Sequence, residues 1–512
     1  MSRKTYPIGT VISDSETPSF ETVRIKLKAE KDVKPGTLVR MNVSREGERT
    51  ILIGRIRSGY ESNPNKSVAS VTVGDNLGLP TPSMPEGHST DIYRLVEADL
   101  IEEIIGKEIR SPQNLPNSGS EVFIADSSEV VRVLGLETDK KEGLHLGETV
   151  GGIKTDIVLK KSSIQRHFFI GGTTGSGKSY AMGVVAEELM KHDLPVIFLD
   201  TQDEYSEFVI KNDGKVVEPG KDFNIRISSL TESEFISILP KSMQDSSLQL
   251  DVATYIFRGL KNQILRGERQ KFRIDDMLPQ TEAASNLLAT KSPETTSATV
   301  ERKLETLRSN QIFGEGCGAA DWRKFMYPCM AINCKNLMSR DLQIIATAVL
   351  RELQDLRLRN HIPPYVAVVD EAHLFVPQGE GSPCKQIIRE GVRIGRHHGI
   401  CMVLMTQSPV DIDKSVIRQC NTRLVFALEP DQLDAIKGVK ADATDEMLRA
   451  LPKMPQGTCL ISGTYESLKH TIPVKIRQRT TPDSEGGKTP DIFQEMQDTW
   501  MAKITALKEE NQ

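Results

Sequence analysis

Apolar and charged residues alternate along the first 140 or so positions, the spacing that a half-buried strand requires. Within 20–28, Val23, Ile25 and Leu27 occupy every second place between charged neighbours. Similar short strands are expected over 37–43, 50–56, 92–96 and 122–133, separated by turn formers such as Pro35-Gly36 and the three prolines of 80–87. Many short strands with frequent turns predict a small all-β barrel or sandwich. From about residue 150 the pattern changes. Unbroken apolar runs at 167–170, 195–200, 330–333, 365–370, 400–406, 424–428 and 458–461 are spaced by helical stretches. This is how a parallel sheet covered on both faces reads, so the fold class is α/β. Between about 230 and 320 the chain turns helical. Thr231-Glu-Ser-Glu234 has capping-box spacing ahead of Phe235, Ile236, Ile238 and Leu239, and an amphipathic stretch follows over 248–265. The expected organisation is an N-terminal β-barrel (1–145), an α/β core in two pieces (146–228 and 321–477), a helical insertion (229–320) and a C-terminal tail (478–512). The tail opens as a polar linker and could form one more helix from Asp491.

Composition narrows the class only a little. The 512 residues are 38% hydrophobic and 26% charged, with a formal net charge of −5. No apolar run reaches 18 residues and the start does not read as a signal peptide, so no membrane partner is expected. Seven cysteines without a C-x-x-C pair point to reduced thiols and a cytoplasmic location. A net charge of −5 argues against a protein that coats polyanions, but a local basic ring can still grip nucleic acid.

The chemistry lies in the α/β part. Gly172-Thr173-Thr174-Gly175-Ser176-Gly177-Lys178-Ser179 fits G-x-x-x-x-G-K-[ST] at every fixed position, after an apolar strand and before a helix-compatible run starting at Tyr180. Such a loop wraps backbone N–H groups around the β-phosphate of ATP, with Lys178 reaching the β/γ oxygens and Ser179 holding Mg²⁺. About 190 residues on, Val366-Ala-Val-Val-Asp370-Glu371-Ala-His373 ends an apolar strand in two acids. Asp370 would hold the Mg²⁺ through water, and Glu371 would orient or deprotonate the attacking water. Gln407, at the tip of the 399–407 strand, is placed to sense a γ-phosphate. The basic run from Arg389 to His398 contains Arg396, either a finger completing a neighbouring subunit's site or a solvated basic helix end. The acids after 195–200 (Asp200, Asp203, Glu204) could position metal or water, or merely cap the next segment. Loops at 378–385 and 241–244 are candidates for contact with nucleic acid.

Taken in order, Arg166-His167-Phe-Phe-Ile-Gly-Gly-Thr-Thr-Gly-Ser-Gly-Lys-Ser179, Asp200-x-x-x-Glu204-Tyr205, Val-Val-Asp370-Glu-Ala-His, Gly395-Arg396-x-x-Gly399 and Thr406-Gln407-x-Pro409 resemble the HerA-type DNA translocases of the FtsK–HerA branch. The resemblance covers nearly the whole chain. It implies a RecA-like motor interrupted by helices, a HAS-type N-terminal barrel, and a homo-hexamer around double-stranded DNA. It also implies a NurA-type nuclease partner in end resection during double-strand break repair. By that pattern Lys178, Ser179, Asp370 and Glu371 serve hydrolysis, Arg396 is a trans-acting finger, Gln407 a sensor and Arg166 a further trans contact. The family's more usual Glu-Gly-Arg-Lys-Phe-Gly run here reads Arg393-Ile-Gly-Arg396-His-His-Gly, so the arginine stays while its neighbours differ. Two other readings remain open: a ring that organises a partner effector in defence, and a coupling ATPase of the conjugation or packaging kind.

Overall fold

A computed structural model describes residues 6–13, 17–28, 31–45, 48–62, 93–288, 291–313, 322, 327–379, 381, 383–438, 441–464, 467–481, 500–501 and 503–505. Most of the helix expected from Asp491, and the turns of 80–87, fall outside these residues. The chain divides into two compact units, Met1–Leu194 with Pro363–Gln478, and Pro195–Ile362 with Arg479–Gln512.

The first unit opens with β1 (Gly9–Ile12), β2 (Thr22–Leu27), β3 (Leu38–Arg45), β4 (Glu48–Ser62), β5 (Tyr93–Ile105), β6 (Glu108–Arg110) and β7 (Glu121–Ile124). Their order is β2-β1-β7-β3-β4-β5, and an antiparallel β2–β5 pairing returns to the start, so six strands close a barrel with β6 appended to β5. Closure leaves no open edge among those six. Val23, Ile25, Val39, Met41, Leu52, Val96, Ala98 and Val122 fill the interior, the alternate positions of their strands. Two register shifts in the β4–β5 ladder, at Ile53/Gly54 and Ile56/Ser58, bend these long strands enough to serve both walls.

Two expectations for this region need correction. The strand expected at 92–96 runs far longer, because its outward acids are held by basic cross-strand neighbours: Glu97 pairs with Arg24 at 3.0 Å and Arg57 at 2.8 Å. The strand expected over 122–133 stops at Ile124. Asp126 then caps a helix, Ser127–Leu134. Its side chain accepts from the Glu129 N–H, and the Glu129 carboxylate accepts in return from the Asp126 N–H. That capping box outweighs the strand propensity of Val130, Val131 and Val133.

Beyond the barrel come β8 (Gly143–Thr149), β9 (Asp156–Lys160), β10 (Phe168–Gly171), β11 (Val196–Asp200), β12 (Lys215–Val217), β13 (Cys329–Asn333), β14 (Tyr365–Val369), β15 (Ile400–Thr406), β16 (Thr422–Val425), β17 (Thr458–Ser462) and β18 (Ile472–Ile476). Every apolar run singled out in the sequence after residue 150 is one of these strands. In the first unit they lie in the order β14-β15-β10-β16-β17-β18-β8-β9; the first four are mutually parallel and the rest antiparallel. The parallel strands are buried along their whole length, which is why they read as continuous apolar runs. In the second unit β12, β13 and β11 run parallel. The same unit holds several helices, including Glu232–Ile238 with the expected Thr231/Glu234 capping box, Ser247–Leu265 and Ser339–Leu358.

A buried ionic cluster joins the barrel to the sheet within the first unit. Arg55 of β4, 3% exposed, donates to the Asp442 carboxylate at 3.0 Å and to the Thr471 carbonyl at 2.9 Å. His470 lies between Asp442 at 2.9 Å and Glu102 of β5 at 3.1 Å.

Candidate active site

β10 ends at Gly171, and the glycine-rich loop begins at once, at the carboxyl edge of the parallel strands. Gly175 (φ +74°) and Gly177 (φ +112°) occupy backbone conformations that L side chains rarely adopt. Gly177 also has a packing reason to be glycine, since a Cβ there would stand 3.2 Å from the backbone of Gly457. The loop is braced from two sides: the Thr173 N–H donates to the Ala427 carbonyl at 2.8 Å, and the Gly457 N–H to the Ser176 carbonyl at 3.0 Å. Lys178 Nζ reaches back across the loop to the Thr173 carbonyl at 3.1 Å. Lys178 starts the helix Lys178–Met190, whose Gly177 cap brings no side chain to the first-turn amides. The amides at a helix start suit phosphate oxygens. Ser179 and Tyr180 follow in that first turn.

β15 lies between β10 and β14, with Gly171 opposite Thr406 and Val369 opposite Leu404. The strand tips therefore bring the glycine-rich loop, Gln407 and the Asp370-Glu371 pair to one edge. At ~4.8 Å per strand, β10 and β14 stand about 10 Å apart, a width that a metal-bound triphosphate spans. Asp370 and Glu371 are 4% and 6% exposed. Glu371 sits in the left-handed region (φ 46°, ψ 50°), an uncommon conformation for a non-glycine residue that turns its carboxylate back toward β15. The Gln407 N–H approaches Glu371 Oε2 at 3.4 Å, and His373 Nδ1 lies 3.3 Å from the same oxygen. His373 Nδ1 is also 3.1 Å from Thr406 Oγ1. The Gln407 side chain itself accepts from Thr174 Oγ1 at 2.6 Å, tying the tip of β15 to the loop.

Arg166 and Arg396 lie at the other edge. Arg166 closes a 3₁₀ turn, Lys161–Arg166, just ahead of β10, and Arg396 is on the helix Pro383–His398 just ahead of β15. Between Arg396 and Gln407 runs the whole of β15, seven residues or about 23 Å at ~3.3 Å per residue. No arginine side chain covers that distance, so Arg396 does not reach the phosphate-binding edge of its own chain; Arg166 is set off from that edge by the four residues of β10, about 13 Å at ~3.3 Å per residue.

The chain is similar to several known proteins. Residues 144–353 match the family described as Helicase HerA, central domain, and residues 333–476 match the AAA-like domain. A "DNA double-strand break repair helicase HerA" of Sulfurisphaera tokodaii is 21% identical over 87% of this chain and 93% of its own. A protein of the same name in Pyrococcus furiosus is 20% identical, over 93% and 94%. A solved structure of a bacterial conjugative coupling protein, in complex with sulphate, superposes at a TM-score of 0.50 and 13% identity, covering 71% of this chain and 94% of that one. Over its central part the chain is similar to the HerA-type P-loop ATPases. This HerA-like protein is an ATP-hydrolysing enzyme, and its fold is RecA-like.

The comparison between sequence and site is informative in its details. His373 and Thr406 orient Glu371, a role not assigned from the sequence although His373 stands within the Asp-Glu-Ala-His run. Ala427 and Gly457 brace the loop through backbone atoms alone and leave no residue-type signal. Asp200 resolves to the capping alternative: its carboxylate accepts from the N–H groups of Gln202, Glu204 and Tyr205, and burial pushes its pKa up to about 6 against those hydrogen bonds. In the 378–385 loop, residues 380 and 382 lie outside the described residues. Lys385 is taken by structure, pairing with Asp413 at 3.1 Å and the Pro377 carbonyl at 2.8 Å. Residues 241–244 form a short helix, Lys241–Gln244. Among the described residues no helix is long and apolar enough to cross a membrane.

Proposed function

We propose that this enzyme is an ATP-driven translocase on double-stranded DNA. It would work as a homo-hexameric ring in the cytoplasm and feed a NurA-type nuclease during end resection in double-strand break repair. The observation that carries this reading is the split between the two sheet edges. One chain holds the phosphate loop, Asp370, Glu371 and Gln407 on one side and Arg396 and Arg166 on the other. A head-to-tail arrangement of subunits would bring the two halves together, and such an arrangement forms a ring where its rotation closes. The relatives' names supply the DNA substrate and the repair role.

In the mechanism the loop amides and Lys178 bind and orient the β- and γ-phosphates of ATP. Ser179 and Asp370 would hold Mg²⁺; the buried Asp370 carboxylate on the strand-tip edge fits an oxygen-binding cation. When bound, Mg²⁺ neutralises charge on the phosphate oxygens. Glu371, fixed by His373 and the Gln407 amide, takes the proton of the attacking water. Gln407, linked to Thr174, reports whether the γ-phosphate is still there. Arg396 of a neighbouring subunit stabilises the charge that develops as the bond breaks. DNA would be gripped through its phosphates, independently of sequence.

Steady-state ATP hydrolysis, measured with and without linear duplex at low and high salt, tests the proposal. Stimulation by duplex that fades with salt is expected. Turnover indifferent to duplex would remove the translocase reading and leave an ATPase that serves a protein effector. Mixing Arg396→Ala with Lys178→Ala subunits should restore part of the turnover each lacks alone. Mixed rings with no recovery would remove Arg396 from the trans role.

A further inference from the structure

His167 joins the three elements on which the far edge is built. Its imidazole is 2% exposed. Nε2 lies 2.8 Å from the Val392 carbonyl, on the helix that carries Arg396 one turn later. Nδ1 lies 3.1 Å from the Met402 N–H of β15. An amide can only donate and a carbonyl can only accept, so the ring is fixed as the neutral tautomer with its proton on Nε2. Burial agrees, pushing the pKa down to about 4 against the Val392 hydrogen bond. The backbone of His167 continues the turn that ends at Arg166, and the Arg166 and His167 carbonyls accept from the N–H groups of Asn421 and Thr422.

Two features show that this contact is imposed rather than incidental. His167 has φ +62° and ψ 150°, a region that glycine alone occupies readily, so a histidine here works against local preference. Gly395, next to Arg396, is pressed so close that a Cβ would stand 2.0 Å from the Ile400 carbonyl oxygen and 2.9 Å from His167 Cε1. The imidazole thus sets the distance between the end of the helix Pro383–His398 and the sheet.

We propose that His167 is a positioning residue for the trans-acting arginines: it touches neither nucleotide nor metal, but pins the Arg396 helix to β15 from the backbone of the Arg166 turn. This rests on the proposed trans role of Arg396. The residue acts on the neighbouring subunit's ATP while leaving its own phosphate loop, at the opposite edge, untouched.

The test uses the full-length His167→Gly protein. Glycine accepts the backbone conformation, so a lost fold is not forced, and a melting curve checks it. The expected result is kcat lowered about 10²-fold with KM for ATP unchanged, the loss that a misplacement of about 1 Å produces. Mixing with Lys178→Ala subunits should restore turnover, because those subunits supply a well-placed arginine. His167→Gly/Arg396→Ala should be no slower than Arg396→Ala alone. His167→Asn, which keeps an acceptor for Met402 but falls short of Val392, should behave like the glycine variant. Wild-type kcat in His167→Gly, or a loss not rescued by Lys178→Ala subunits that do rescue Arg396→Ala, would overturn the proposal and leave the trans reading intact. Failure of Arg396→Ala itself to be rescued would strike the trans reading first and this proposal with it.

Discussion

Two glycines in two helices should answer the same substitution with opposite signs. Gly259 lies mid-way along Ser247–Leu265 and is exposed, and a Cβ there would meet nothing within 4 Å. Gly259→Ala should therefore gain the helix propensity difference, about 0.8–1 kcal/mol. Gly395→Ala has the same propensity gain available, yet its Cβ would stand 2.0 Å from the Ile400 carbonyl oxygen. That atom is backbone at the start of β15 and has no rotamer to yield. The helix end must move, at the ~1–3 kcal/mol typical of overpacking, for a net loss of up to about 2 kcal/mol. With about 2–4 °C per kcal/mol in units of this general size, calorimetry should show the Gly259→Ala midpoint rising by about 2–4 °C and that of Gly395→Ala falling by up to about twice as much. Turnover separates them further: Gly259→Ala should hydrolyse ATP at the wild-type rate, whereas Gly395→Ala should lose kcat because Arg396 is displaced with the helix. A Gly395→Ala protein that melts higher than wild type would refute the reasoning, since it would mean that the helix end is free to shift.

Other outcomes follow from the site and the ionic cluster. Glu371→Gln should lower kcat by about 10²–10⁴-fold while retaining ATP, seen as nucleotide that co-purifies or exchanges slowly. Gln407→Ala should weaken the coupling of hydrolysis to duplex without loss of nucleotide binding, measured as stimulation ratio against the Kd of a fluorescent analogue. For the cluster, burial opposes charge on both His470 and Asp442, but their mutual hydrogen bond and the Glu102, Arg55 and Thr471 contacts outweigh it. His470 is thereby raised and Asp442 held well below the carboxylate range. The raised histidine contributes stability below its ordinary value of ~6.5 and loses it as pH climbs through the folded value. The depressed carboxylate contributes above ~4 and loses it only in stronger acid. Urea midpoints should therefore be highest between about pH 4 and 6.5 and decline on the alkaline side, and Asp442→Asn should flatten that decline.

Much of the α/β part was legible because its strands are buried on both faces and leave unbroken apolar runs, from Phe168 to Cys459. The glycine-rich loop and the Asp370-Glu371 tip carry their own residue types. The barrel was harder to read. On β5 the outward acids Glu97 and Asp99 are neutralised by arginines from other strands, which one strand's sequence does not show. At Asp126 a three-residue capping signal decided between helix and strand. The sheet order, which separates Arg396 from Lys178 by the length of β15, is a property of pairing and is not written in any local pattern. His167 was visible as a residue beside Arg166. Its two hydrogen bonds go to backbone atoms at Val392 and Met402, whose side chains give no hint of it.

The discontinuous first unit also has a consequence for synthesis. β10 leaves the ribosome with neither lateral neighbour made, for β15 begins roughly 230 residues later; at ~5–20 residues per second that is a wait of about 10–50 s. Throughout it the phosphate loop hangs from an apolar strand with both edges bare, while residues 195–362 of the second unit are translated in between. A nascent chain in this state is a natural client for a holdase, and slowing translation within 200–360 should lower the yield of soluble enzyme more than slowing it beyond 430.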